Sequence, residues 1–161
     1  GLTCIVGQGD WNTLRVLDRP AVLTLTREDG ARVPVFLLSM QGTMLEMDIG
    51  GELYRLETGQ VGSYWFGDYA VFVQAPPGGR MFLKGGDRDA DGAWLGEQVE
   101  IAQGVRIPAA DALLFDYPQQ KQVLAFQRAH GLLPDGIVGK NTLIRLNTAI
   151  DRQDVPRLVS E

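Results

Sequence analysis

The sequence predicts an α+β fold: a small, curved antiparallel sheet with a helix packed on it, then a three-helix bundle. Three observations predict it. Short β-rich runs separated by glycine fill the first half. A Pro-Pro-Gly-Gly and Gly-Gly-Asp stretch follows, and beyond it the hydrophobic spacing turns helical. These changes divide the chain into residues 1–75 (β-rich domain), 76–93 (connector), 94–150 (helical domain) and 151–161 (loose tail).

Taken in order, residues 8–17 read as a helix, followed by strands at 21–26, 33–40, 43–49, 53–57 and 69–74. Asp29-Gly30 and Gly50-Gly51 fall between such runs as hairpin turns, because glycine reaches positive φ cheaply. Residues 59–65 supply a second helix, and Met81-Phe82-Leu83 has the character of a short strand inside the connector. Trp94, Leu95 and Val99 then share one helical face before Gly104. Residues 110–115 form a short helical candidate. Pro118 opens the next helix, with Val123, Phe126 and Ala129 along one side up to Gly131. Leu143, Leu146 and Ile150 mark the last.

Composition removes several function classes. With 45% apolar and 22% charged residues among 161, the chain has the make-up of a folded domain rather than a disordered one. Fifteen basic against twenty acidic side chains, net -5, exclude nucleic acid as a partner held by phosphate neutralisation. No apolar run is long enough for a membrane span. The chain opens at Gly1 rather than Met and reads as a piece of something longer. Its single cysteine, Cys4, excludes an internal disulfide framework. A single histidine, His130, leaves few metal or acid–base schemes. Gly7 and Gly9 are followed by no lysine-serine pair, so no phosphate loop forms, and no cofactor is expected.

The most informative segment runs from Val123 to Leu143. Gly131 ends a helix in a left-handed cap, and Leu132 folds back on the helix it has left. Pro134-Asp135-Gly136 makes a tight turn, Ile137 and Val138 drop into the core, and Gly139 starts the next helix close to the last. Physically this is a helix–turn–helix hairpin. Its spelling, F-Q-x-x-x-G-L-x-x-D-G-x-x-G-x-x-T-L, resembles the three-helix peptidoglycan-binding domain. Trp94-Leu95, Gln98-Val99 and Gly104 look like its first helix, so the resemblance covers about residues 94–147. The family's first D-G-x-F-G turn is replaced here by residues 107–117. The resemblance implies binding of peptidoglycan between the helices, with Gln127, Arg128, His130, Asn141 and Thr142 as the outward polar side chains able to touch it. Arg128 would pair with a stem-peptide carboxylate, and Gln127 or Asn141 would bond sugar or amide groups. Gly131, Asp135, Gly136 and Gly139 shape the turn. Residues 118–147 hold four basic side chains and one acidic, a local excess suited to a carboxylate-bearing polymer.

The β-rich part resembles another domain. Gly1-Leu2-Thr3-Cys4, Gly9-Asp10-Trp11-Asn12-Thr13-Leu14, Asp18-Arg19-Pro20-Ala21-Val22-Leu23 and Trp65-Phe66-Gly67-Asp68-Tyr69 look like the degenerate papain-like domain of the general secretion pathway protein A family. In that family it lies in the periplasm, ahead of a peptidoglycan-binding domain. The active relatives are double-glycine peptidases that use a cysteine, a histidine and an aspartate. Residues 1–93 contain no histidine, and the place where such peptidases present one is Arg32-Val33-Pro34-Val35-Phe36. Asp48 falls where the third member could lie but has no imidazole to orient. Cys4 is therefore expected to be a small buried hydrophobe or a leftover of the lost chemistry rather than a nucleophile, and the domain a pseudo-peptidase. The resemblance implies a non-catalytic, wall-anchoring periplasmic module of type II secretion that helps secretin assembly. The parent would be an inner-membrane protein with an ATPase domain, and the partners peptidoglycan and the inner-membrane protein B of the same pathway, with self-association left open. The rival reading is a cysteine peptidase or cell-wall hydrolase acting through Cys4.

Two further patterns carry weaker implications. Asp87, Asp89 and Asp91, followed by Gly92, have the spacing of a calcium loop, but position twelve is Gln98 where a bidentate glutamate is needed, so a solvated acidic linker is expected. Trp65, Phe66, Tyr69 and Phe72 read as strand core with one rim residue rather than a carbohydrate platform.

Overall fold

A computed structural model describes residues 2–106, 114–150 and 156–159. It resolves into two compact units, one made of Cys4–Phe72 with Asp154–Glu161, the other of Gly1–Thr3 with Val73–Gln153. The elements run β1 (Leu2–Gln8), α1 (Trp11–Leu17), β2 (Ala21–Thr26), β3 (Arg32–Gln41), β4 (Met44–Ile49), β5 (Glu52–Glu57), α2 (Thr58–Gly62), β6 (Trp65–Gln74), α3 (Ala90–Gln103), α4 (Tyr117–Ala129) and α5 (Lys140–Ala149).

The β-rich unit is built on one open sheet of order β1-β6-β2-β3-β4-β5. Strands β2, β3, β4 and β5 pair antiparallel through successive hairpins, and β6 returns to pair antiparallel with β2. Alternation puts Leu23, Val35, Leu37, Leu45, Met47 and Val71 on the core face, all essentially inaccessible to water. In β3 the alternation slips: Leu37 and Met40 are both buried although three residues apart. A bulge between Leu37 and Ser39 supplies the extra residue and keeps the next apolar side chain inward. Helix α1 is held at its start by a reciprocal cap. The Asp10 carboxylate accepts the Thr13 N–H at 2.7 Å, and the Thr13 hydroxyl accepts the Asp10 N–H at 3.3 Å. Leu14 and Leu17 are the buried residues of α1.

Two findings depart from the sequence reading here. Residues 2–8 form a strand that hydrophobic patterning did not single out, because Gly7 interrupts it. That glycine is a contact requirement, since a Cβ at position 7 would lie 2.5 Å from the Tyr69 ring. The tail read as loose also has fixed structure where it is described. Leu158 is fully buried, and its carbonyl accepts the Met40 N–H at 2.7 Å.

In the second unit, α3 begins at Ala90, inside the stretch read as connector, because Asp89 caps it by accepting the Asp91 and Gly92 N–H groups. The strand expected at 81–83 is reduced to one residue: Leu83 and Val138 exchange N–H···O bonds of 3.0 and 2.9 Å in an isolated bridge. The helical candidate at 110–115 lies largely outside the described residues. Asp116 caps α4 with Gln119 in a reciprocal box, and Pro118 occupies its first turn. Leu95 and Val99 of α3, Val123 and Phe126 of α4, and Leu143, Ile144 and Leu146 of α5 are buried.

Candidate functional site

The α4–α5 hairpin has the cap the sequence calls for. Gly131 sits at φ 67°, the Leu132 N–H reaches the Gln127 carbonyl at 2.9 Å, and the Gly131 N–H reaches that of Arg128 at 3.4 Å. These two bonds are the Schellman pattern, which turns the chain sharply off α4. Gly136 follows at φ 72°, where a Cβ would approach Gln120 Cγ to 3.0 Å.

Gln127 organises the turn. Its Nε2 lies 3.0 Å from Asp135 Oδ1, 2.9 Å from the Ile137 carbonyl and 3.1 Å from Thr142 Oγ1, and its Oε1 accepts the Gly136 N–H at 2.9 Å. Asp135 Oδ1 also accepts the Ile137 N–H at 2.9 Å. One amide thus ties the end of α4 to the turn and to the first turn of α5. Placing Gln127 and Thr142 among the outward side chains is therefore incorrect: they are 1% and 5% exposed. The sequence held the signal, since Gln127 stands four residues after Val123 and beside Phe126, on the buried stripe.

His130 is half-buried rather than presented. Its ring lies 4.3 Å from that of Phe126, and Nδ1 is 3.1 Å from the Arg145 guanidinium on α5. A guanidinium only donates, so Nδ1 accepts and Nε2 carries the ring proton. Arg128, Asp135, Lys140 and Asn141 are exposed polar residues of the motif, and the Asp135 carboxylate is tied to Gln127 and the Ile137 amide. The hairpin thus exposes two cations, an amide and the turn's Asp135, with Leu133 also exposed on the turn.

The positions weighed for peptidase chemistry stand on separate strands of the β-rich unit. Cys4 is exposed on β1, not buried as expected, because strand alternation turns Ile5 inward instead. Asp48 lies on β4 and accepts the Gly51 N–H at 2.8 Å, closing the β4–β5 turn. Four strand steps separate β1 from β4, roughly 19 Å along the sheet. Arg32, at the place where active peptidases carry histidine, makes an ion pair with Asp68, whose other oxygen accepts from Gln8 at 2.9 Å. Trp65 and Tyr69 are buried, whereas Phe66 and Phe72 are both exposed, so two aromatics rather than one stand at the rim.

The acidic loop is turned to internal use. Arg80 bridges Asp87, at 2.9 Å, and Asp89, and both carboxylates hold its guanidinium charged above the ordinary arginine range. The Gly92 amide, with Arg80 contributing, holds the Asp89 carboxyl below the ordinary carboxylate range. Asp91 is buried and accepts the Gly78 and Arg80 N–H groups. Among the described residues no group of three acidic, histidine or cysteine side chains converges as a cation site.

Comparison with known proteins falls on both halves of this description. Residues 110–146 match the family described as "Putative peptidoglycan binding domain". The whole chain is similar to general secretion pathway protein A of Aeromonas hydrophila, at 28% identity over 161 residues and 29% of that protein's length. It is 26% identical over 91% of its length to "Putative general secretion pathway protein A" of Escherichia coli K12, again across 29% of the relative. The chain thus spans under a third of each curated relative. Its fold matches a periplasmic domain of the EpsAB fusion protein of the Vibrio vulnificus type II secretion system. That match has a TM-score of 0.60 and 26% identity, and covers 96% of this chain and 67% of that one. The resemblances read from the motifs point to the same proteins.

Proposed function

We propose that this chain is a non-catalytic, peptidoglycan-binding periplasmic module of a type II secretion assembly protein, anchoring its parent to the cell wall during secretin assembly. The observation that carries the proposal is the peptidoglycan-binding match across α4, the turn and α5, within a chain similar throughout to general secretion pathway protein A. The geometry supports it: Gln127 holds the turn, and Arg128, Lys140 and Asn141 face solvent beside it, cations suited to the carboxylates of stem peptides. In this reading residues 1–75 are a degenerate papain-like domain, 76–93 a connector, 94–150 the wall-binding domain and 151–161 a tail. The parent would be an inner-membrane protein carrying an ATPase domain. Its partner would be the inner-membrane protein B of the same pathway, a pairing supported by the fusion named for the Vibrio vulnificus protein.

Co-sedimentation with purified sacculi tests the reading. The chain should pellet with sacculi in a saturable manner and release no soluble fragments from them. A chain that stays in the supernatant, or that digests the wall, would overturn it.

A further inference from the structure

The end of β3 is paired in an unusual way. The β2–β3 register runs from Thr26↔Arg32 to Ala21↔Leu37, but β3 continues to Gln41. Past Leu37 the edge that faced β2 has no named strand beside it among the described residues, which leaves backbone groups open to a new strand. Arg157-Leu158-Val159 takes that place, with Val159 bridging Met40 in parallel and the Met40 N–H donating to the Leu158 carbonyl at 2.7 Å. Asp18 supplies the other half of the grip. Its Oδ1 accepts the N–H groups of Leu158 and Val159 at 3.1 and 2.8 Å, and its Oδ2 pairs with Arg157 at 3.2 Å. The Leu158 side chain is fully buried.

Asp18 reaches this position at a backbone cost. It caps the end of α1 at φ 52°, the one non-glycine residue at positive φ among those described. Aspartate tolerates that conformation better than most side chains, and here it aims a carboxylate at two successive amides. Backbone pairing, a buried leucine and a carboxylate reading a basic neighbour are the parts by which a sheet edge recognises an extended peptide.

We propose that the notch between Asp18 and Met40 is a peptide-recognition site for an extended basic–leucine segment, and that Arg157–Val159 is its resident ligand, docked reversibly in cis. The ligand then leaves while the sheet stays folded.

Native-state hydrogen exchange on the unaltered chain tests this first. The amides of Met40, Leu158 and Val159 should exchange together, at least tenfold faster than those of β2 and central β3. A labelled peptide of residues 154–161 tests it a second way. It should bind the 161-residue Leu158→Asp chain at least tenfold more tightly than the unaltered chain, and adding Asp18→Ala should weaken that binding at least tenfold. Tail amides that exchange only with the whole sheet, or peptide binding indifferent to both substitutions, would overturn the proposal. The exchange result decides the matter even where Leu158→Asp fails to fold.

Discussion

The two units keep their interiors in different ways. Among the described residues, every buried polar or charged residue, from Asp91, Gln98 and Gln119 to Gln127, Thr142 and Thr148, belongs to the unit that holds α3, α4 and α5. The interior of the β-rich unit is apolar, with Leu23, Leu37, Leu45 and Met47 at its centre. Apolar burial is non-directional, so a sheet built on it keeps its fold whatever stands at positions 4, 32 or 48. A buried amide is costly unless every partner is in place, so Gln127 commits the turn to one shape. One unit tolerates change at those positions, and the other fixes the shape of its turn.

Substitutions that remove the interior of each unit should break this comparison first. Leu37→Ala should cost about 3–4 kcal/mol, the loss of a fully buried leucine with the cavity it leaves. Gln127→Leu keeps the volume and adds apolar surface, yet should cost about 3 kcal/mol. It strips the Gly136 N–H and the Ile137 carbonyl of their partner inside the fold. Urea unfolding followed by circular dichroism measures both. A neutral Gln127→Leu would show that the helical unit, too, rests on apolar burial. Gly136→Val should follow at about 2 kcal/mol, from a β-branched residue at φ 72° pressed on Gln120.

Arg128→Ala sharpens the comparison on the functional side. The side chain is exposed, so stability should move by less than about 0.5 kcal/mol. Sacculus binding should weaken several-fold, read from the fraction that pellets as wall material is titrated. Unchanged binding would shift the wall contact away from this end of α4.

The same contrast explains how much could be read from the residues. The strands of the β2–β5 meander follow from alternation and glycine turns, which are local signals, and the Gly131 cap is spelled out in sequence. Strand β1 escaped because Gly7 answers to Tyr69, sixty-two residues away along the chain. The docking of Leu158 on Met40 and Asp18 depends on β2 beginning at Ala21, opposite Leu37, which no local pattern encodes. At the candidate site, turn glycines were legible by their conformational need. Polarity alone points Gln127 and Thr142 outward, whereas their place on the buried stripe turns them inward, and the His130 contact with Arg145 spans two helices and so leaves no local mark.

The smallest expected effect is the most exposing one. Cys4 is exposed on β1, so a thiol reagent should label it readily in the folded chain. Accessibility is not nucleophilic catalysis, which needs an imidazole to take the thiol proton and later return one to the leaving amine. Residues 1–93 contain no histidine, Asp48 is spent on the Gly51 amide, and Arg32 can only donate. Cys4→Ser should therefore leave stability within about 0.5 kcal/mol and wall binding unchanged, and labelling the thiol should alter neither. Incubating the unaltered and Cys4→Ser chains with sacculi and with peptides bearing a double-glycine sequence should give no cleavage by either. Cleavage by the unaltered chain that Cys4→Ser abolishes would mean that a base other than histidine serves this thiol, and that the β-rich unit has kept a chemistry of its own.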